Sequence, residues 1–226
     1  MTAYAIGDIP LILRRHPRAR RLKLRFEAQK GAALLTLPPG VSDHKAVQFA
    51  EKHRGWISEQ LAKSPPVIRF APGALVPLCG EIHQILHQPQ RRAQVTADNR
   101  QLIVGGPAAG FETRLRNWLG KQARAALTAA VEGFVPQVGQ RPRRIMVRDT
   151  SSRWGSCSSK KTLSFSWRLI MAPPAVLSYV AAHEMAHLIE MNHSPAFWRL
   201  VEKLDPDWKR SRRWLKTEGG GLMVIG

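Results

Sequence analysis

The first third of the chain alternates apolar and charged residues with a period of two, which is the pattern of half-buried strands. This alternation runs from Arg21 to Glu27, and after a turn at residues 29–31 a partner strand is predicted over residues 33–37. Ser42 then predicts the N-cap of a helix that extends to about Lys63, where Ser64 and two prolines end it. The side chains that this helix is expected to bury are Val47, Phe49, Ala50, Trp56, Ile57 and Leu61.

Helical spacing dominates after a second strand-rich stretch at residues 67–104 and a glycine- and proline-containing linker at 105–107. Apolar residues recur three and four positions apart from about Phe111 to Phe134, which predicts one long helix. The change of pattern divides the chain into a β-rich N-terminal region with one helix, residues 1–106, and a helical region, residues 107–226.

The helical region also contains short strands and three further helices. Strands are predicted over 143–149 and 162–170, on either side of a polar, turn-rich stretch. Pro173 and Pro174 begin a helix that extends to about Glu190, because proline suits the first helical turn. Ser-Pro and Asp-Pro pairs predict the last two helices, at about 195–204 and 206–216.

The helix that begins at Pro174 carries the sequence His183-Glu184-Met185-Ala186-His187. Residues four apart lie on one face of a helix, so the imidazoles of His183 and His187 can hold one metal ion between them. Glu184 is offset from that face and can reach a water at the metal without filling the coordination shell. The two histidines are therefore predicted metal ligands, with Glu184 beside them as the catalytic group.

A third histidine, His193, can return to the same metal if the chain turns after the helix. Asn192 suits that turn, since asparagine tolerates the left-handed backbone conformation. Three imidazoles leave a fourth position open, which is the pattern of a catalytic zinc site. We therefore predict one Zn²⁺ per chain, held by His183, His187 and His193, with Glu184 as the general base that takes a proton from water. Imidazoles also bind manganese, iron and cobalt, so the metal's identity stays open.

The composition is ordinary for a globular protein except for its charge. The chain has 35 Lys and Arg residues against 16 Asp and Glu, which gives a formal net charge of +19. Basic clusters lie at residues 14–25, 141–153 and 209–216, the last interleaved with Trp208 and Trp214. Basic residues with aromatics suit phosphate contacts and base stacking, which predicts nucleic acid or a nucleotide as a partner. A solvated charged surface is the alternative for each cluster.

The sequence also indicates the cellular location of the protein. Two cysteines are too few for a disulfide framework, and no apolar segment has the length of a signal peptide core or a membrane span. The expected location is the cytoplasm, with no membrane partner. Cys157 lies in the polar stretch, where it is either a nucleophile or a structural thiol.

At its motifs the chain resembles the YgjP-like family of predicted metal-dependent hydrolases, which is related to the SprT-like and WLM zinc metallopeptidases. The residues that carry the resemblance are 153–157 (Arg-Trp-Gly-Ser-Cys), 163–169, 179–187, 192–198 and 208–215. The resemblance implies an α+β fold: a gluzincin-like metallopeptidase domain with a small sheet packed on the HExxH helix, and a β-rich N-terminal part. It also implies zinc ligation by the three histidines, the general-base role of Glu184, and a protein or peptide substrate.

Two arginines in the family motifs are candidate substrate-binding residues. Guanidinium groups bind carboxylates and phosphates through two parallel hydrogen bonds, so Arg153 and Arg168 are predicted to hold a substrate carboxylate, phosphate or oxyanion. A structural salt bridge is the alternative for each. The histidine spacing also equals that of the metzincins, but Glu190 stands where those enzymes have a glycine at the turn.

Three functions remain open on the sequence. The leading one is a zinc metallopeptidase. A metal-dependent nucleotide or phosphoester hydrolase fits the arginines, although imidazoles are unusual ligands for the magnesium ion that such enzymes use. The third is a non-enzymatic, basic nucleic-acid-binding module in which zinc is structural.

Overall fold

A computed structural model describes residues 4–150 and 153–226, and the chain divides into two compact units at residues 67 and 68. The elements of the first unit are β1 (Tyr4–Ile6), β2 (Ile9–Arg15), β3 (Lys23–Glu27), β4 (Ala32–Leu37), α1 (Asp43–Lys52) and α2 (Arg54–Lys63). Its four strands lie in the order β1-β2-β4-β3, and only β2 and β4 run parallel. The predicted hairpin is confirmed, because β3 pairs with β4 in antiparallel register with Arg25 opposite Leu34.

Two features of the first unit differ from the sequence prediction. The strands β1 and β2 were not predicted, yet β2 lies at the centre of the sheet. The predicted single helix is interrupted at His53, which leaves the helical conformation, so α1 and α2 are separate. The interruption changes which side chains face the core: Ala50 and Ile57 are buried as predicted, but Trp56 and Leu61 are 39% and 43% exposed.

The second unit contains two further sheets and five α-helices. Its elements are β5 (Leu75–Leu78), β6 (Glu81–Gln88), β7 (Val95–Asp98), β8 (Gln101–Gly105), α3 (Phe111–Val138), β9 (Arg144–Arg148), β10 (Gly155–Cys157), β11 (Thr162–Ser166), a 3-10 helix (Trp167–Met171), α4 (Pro174–Ala186), α5 (Pro195–Leu204), α6 (Trp208–Thr217) and α7 (Gly219–Leu222). The sheets have the strand orders β5-β6-β8-β7 and β10-β11-β9.

One long helix, α3, organises the core of the second unit. Its buried side chains repeat at about every fourth residue, from Phe111 through Leu115 and Leu119 to Val138. It ends at Gly139, whose φ of 71° lies in the left-handed region that glycine adopts without strain. Buried residues of β5, β6 and β8 share a hydrophobic core with α3. The compact units divide the chain after residue 67, whereas the sequence pattern predicts a boundary after residue 106.

The three-stranded sheet and α4 form the part of the core that carries the histidines. The starts of two helices agree with the sequence prediction. A proline occupies the first position of α4. Ser194 caps α5, and its side chain accepts a hydrogen bond from the Phe197 N–H. The small sheet packs on α4 through β10. The predicted α+β fold, with a small sheet on the HExxH helix, is confirmed.

Candidate metal centre

Three histidines converge at the end of α4. Their nearest ring nitrogens lie within 4.8 Å of one another, and the Nε2 atoms of His183 and His193 are 3.1 Å apart. His183 and His187 are one helical turn apart on α4, while His193 returns from the segment that joins α4 to α5. The structure therefore brings together the three residues that the sequence predicted as ligands.

The turn that returns His193 differs from the prediction in two ways. The helix ends at Ala186, four residues earlier than predicted. Asn192 is not among the residues with positive φ in the described part of the chain, so the turn uses no left-handed asparagine. Backbone N–H groups of Ile189 and Glu190 instead bond to the Ala186 carbonyl at 3.1 and 3.0 Å, which closes the last turn tightly.

The hydrogen bond of His187 leaves one nitrogen free to bind a metal. Its Nδ1 lies 2.9 Å from the backbone carbonyl oxygen of Glu190. A carbonyl only accepts, so Nδ1 carries the proton and Nε2 keeps its lone pair. Carbonyl bonds of this kind orient the histidine ligands of metal sites. The backbone carbonyl of Glu190 thus orients the ring of this predicted ligand.

The residues present fit a divalent metal. A metal bound at about 2.0–2.1 Å in tetrahedral geometry would hold two nitrogens roughly 3.4 Å apart, close to the 3.1 Å between His183 and His193. Burial, with the neighbouring His187 and His193, lowers the pKa of His183 to about 3, so this imidazole is neutral. Burial also lowers the pKa of His187. Neutral imidazoles are the form that binds metals.

Glu184 is the buried acidic group of this site. Its side chain is 4% exposed, and its Oε2 has no hydrogen-bond partner among the described residues. Burial raises the pKa of Glu184 to about 8, an effect that the positive charge of Arg153 opposes. Among the described residues no group bonds to this Oε2, so it is available to exchange a proton with another molecule.

Gly155 on β10 packs directly against the Glu184 carboxylate. A Cβ atom at residue 155 would contact Glu184 Oε1 and would lie 2.7 Å from Cγ and 2.8 Å from Cδ. Real Cβ atoms do not approach so closely, so only glycine allows this placement of the carboxylate. No pattern in the sequence predicts this role, although Gly155 lies within residues 153–157, one of the segments that carry the resemblance.

The two candidate arginines lie in different environments. Arg153 is exposed, and its charge acts on Glu184. Arg168 is fully buried: its guanidinium binds Asp149, donates to the carbonyls of Ile225 (3.1 Å) and Gly226 (3.4 Å), and lies over Trp167. Each guanidinium nitrogen of Arg168 makes one of these hydrogen bonds, so the structure places Arg168 in the salt-bridge arrangement that the sequence left as the alternative.

Aromatic rings surround the imidazoles. Phe197 stacks on His187 with a centroid separation of 4.5 Å, and Trp198 stacks on His193 at 5.7 Å. Both aromatics come from α5, whose capped start follows His193 directly. The nearby Cys157 thiol has its pKa raised by burial and by the charge of Glu184, which argues against a thiolate nucleophile.

The fold and this site define the class of protein: a metal-dependent hydrolase with an HExxH helix. The chain belongs to the YgjP-like family, described as a metallopeptidase domain, whose family model matches residues 20–218. The predicted resemblance and the gluzincin-like fold class are thereby confirmed.

Other comparisons are more distant. The crystal structure of the metallopeptidase zymogen of Pyrococcus abyssi abylysin is 26% identical, over 41% of this chain and 95% of that chain, with a TM-score of 0.37. No curated protein matches the chain. None of the helices in residues 4–150 and 153–226 is long and apolar enough to cross a membrane.

Proposed function

We propose that the protein is a zinc-dependent peptidase in which His183, His187 and His193 hold the metal and Glu184 is the general base. One observation carries the proposal: three imidazoles converge beside a buried carboxylate whose Oε2 has no partner among the described residues. A structural zinc site needs no such carboxylate, and closed sites have four protein ligands.

The protein groups divide the chemistry between them. Bound zinc would polarise the carbonyl of the scissile bond and lower the pKa of water. Glu184 takes a proton from the attacking water and returns it to the leaving amine. Gly155 of β10 packs against that carboxylate and fixes its position. Arg153, which is exposed and acts on Glu184, is the remaining candidate to contact an anionic group of the substrate.

The small sheet favours a polypeptide substrate over a nucleotide. The strand order places β10 at the edge of the sheet, with β11 as its only partner among the described strands. An extended peptide can add to such an edge through backbone hydrogen bonds. Because Gly155 of β10 touches Glu184, a peptide on this edge would lie beside the general base.

The proposal is tested by peptide cleavage with zinc-loaded protein. We expect wild-type protein to cleave members of a mixed peptide library or unfolded casein, and Glu184→Gln to retain zinc but lose cleavage. Phosphate release from nucleoside triphosphates is measured in parallel. Glu184-dependent phosphate release without peptide cleavage would establish the phosphohydrolase instead, and Glu184→Gln protein that keeps every function would establish the non-enzymatic module.

A further inference from the structure

A cationic groove lies along α6 in the second unit. It has a volume of about 360 Å³ and is lined by Trp208, Lys209, Arg212, Arg213 and Lys216. The helix carries five basic residues and no acidic one. In the described part of the chain the one ion pair made by a lining residue is Lys209 with Glu202, at 3.6 Å between exposed side chains. The groove therefore presents positive charge that the described residues leave largely uncompensated.

Stacked side chains connect this groove to the histidine cluster. The guanidinium of Arg212 lies 4.8 Å from the Trp198 ring, and Trp198 stacks on His193 with a separation of 5.7 Å. Arg212 is thus within about 10 Å of a metal ligand, which is the length of about three residues of extended chain. If the scissile bond of a polypeptide lies at the metal centre, substrate residues about three positions away from that bond can reach the groove.

The aromatic rings of the groove favour carboxylates over nucleic-acid bases. Trp208 is 8% exposed; Trp198 stacks on it at 4.6 Å, and both Lys209 and Arg212 lie over it. Single-stranded nucleic acid is bound by bases that stack on exposed rings, and these rings are already covered.

We propose that the α6 groove binds the acidic side chains of a polypeptide substrate, about three residues from the bond that is cleaved. The inference rests on the proposed peptidase function, which it extends to a substrate class. The metal centre then prefers polypeptide segments rich in Asp and Glu, and this preference comes from Arg212, Arg213 and Lys216.

The test measures binding in zinc-loaded Glu184→Gln protein, so that no cleavage is needed. The probes are a fluorescein-labelled ten-residue peptide with three Glu residues, the same peptide with Gln at those positions, and a labelled ten-nucleotide oligothymidine. The groove variant is Arg213→Gln with Lys216→Gln. Its matched control, Arg210→Gln with Lys203→Gln, removes the same charge from exposed residues that do not line the groove.

We expect the Glu peptide to bind more tightly than the Gln peptide, and the groove variant to weaken only the former, by about tenfold. The control should change Glu-peptide binding by less than twofold. Equal binding of the two peptides, an equal effect of both variants, or no peptide binding overturns the proposal. Tighter, groove-dependent binding of the oligonucleotide overturns it in favour of nucleic acid.

Cleavage by wild-type protein separates this inference from the proposed function. Cleavage without preference for the Glu peptide refutes the groove inference and leaves the peptidase intact. Groove-dependent binding of the Glu peptide with no cleavage of any peptide refutes the peptidase, and with it the role of the groove in substrate selection.

Discussion

Two buried polar sites in the second unit contrast in how fully their hydrogen bonds are made. Arg168 has no exposed surface, and its guanidinium contacts a carboxylate, two backbone carbonyls and the face of Trp167. Glu184 is almost as deeply buried, yet one carboxylate oxygen lacks a partner among the described residues, as does Nδ1 of His183. Each guanidinium nitrogen of Arg168 has a partner within the protein, whereas the Glu184 carboxylate has an oxygen without one among the described residues.

Under the proposed function, this difference separates a structural site at Arg168 from a functional site at Glu184. A buried polar atom without a partner costs about 1–3 kcal/mol, so proteins rarely retain one unless it serves another purpose. At Arg168 the bonds hold β11 and the 3-10 helix against the end of the chain. At Glu184 we propose that the missing partner is a reacting water. The predictions below test this contrast, from the largest expected effect to the smallest.

The first prediction concerns the incomplete site. Glu184→Gln should lower peptide cleavage by about 10³-fold, because the amide cannot accept the proton from water. The free energy of unfolding should not fall, since a neutral amide costs less to bury than a carboxylate. Cleavage assays and urea unfolding measure the two effects. A large loss of stability with unchanged activity would reverse the assignment of the two sites.

The second prediction concerns the complete site. Arg168→Leu should lower the free energy of unfolding by about 3 kcal/mol, because it removes a buried partner of Asp149 and leaves two carbonyls unpaired. The fraction that remains folded should bind zinc as the wild type does. Urea unfolding and zinc titration are the measurements. Wild-type stability together with weakened substrate binding would instead support the sequence prediction that Arg168 contacts substrate.

The third prediction concerns metal removal. A metal that binds only the folded chain stabilises it by about 2.7 kcal/mol when its free concentration is 100 times Kd. Chelation of zinc should therefore lower the free energy of unfolding by about that amount, and added zinc should restore it. Magnesium, which prefers oxygen ligands, is the control and should have no effect. Stabilisation by magnesium equal to that by zinc would contradict the imidazole site.

The fourth prediction concerns the contact between β10 and α4. Gly155→Ala should displace the Glu184 carboxylate and lower the rate of peptide cleavage about tenfold to a hundredfold, with zinc retained. Glu184→Asp shortens the side chain by one methylene. This substitution should lower the rate of peptide cleavage by a smaller factor in the Gly155→Ala background than in the wild type. A double-mutant cycle with strictly additive effects would show that the glycine has no part in positioning the carboxylate.

The convergence of the three histidines could be predicted from sequence because their arrangement is mostly local. The spacing of His183 and His187 places both on one helical face, and Ser194 with Pro195 marks the start of the next helix just after His193. Periodicity also predicted α3 and the β3–β4 hairpin within a few residues. Each of these features depends on residues close together along the chain.

The features that the sequence did not predict depend on distant residues. Gly155 contacts Glu184, which is 29 residues later in the sequence, and Arg168 binds the carbonyls of residues 225 and 226. The pattern of neighbouring residues therefore predicts neither contact. The break at His53 turned Trp56 away from the core, although the apolar spacing continued through it. Periodicity predicts which residues share one face of a helix or strand. Tertiary packing determines whether that face contacts the core or the solvent.

The zinc content of the purified chain tests the central claim most directly. Protein prepared without affinity-tag metals would be analysed for zinc as wild type, as His193→Ala and as the control His44→Ala, which alters an exposed histidine of α1. The three-histidine centre predicts about one zinc per chain in the wild type and control, and loss or marked weakening in His193→Ala. A folded wild-type chain that contains no metal and refuses added zinc would contradict it.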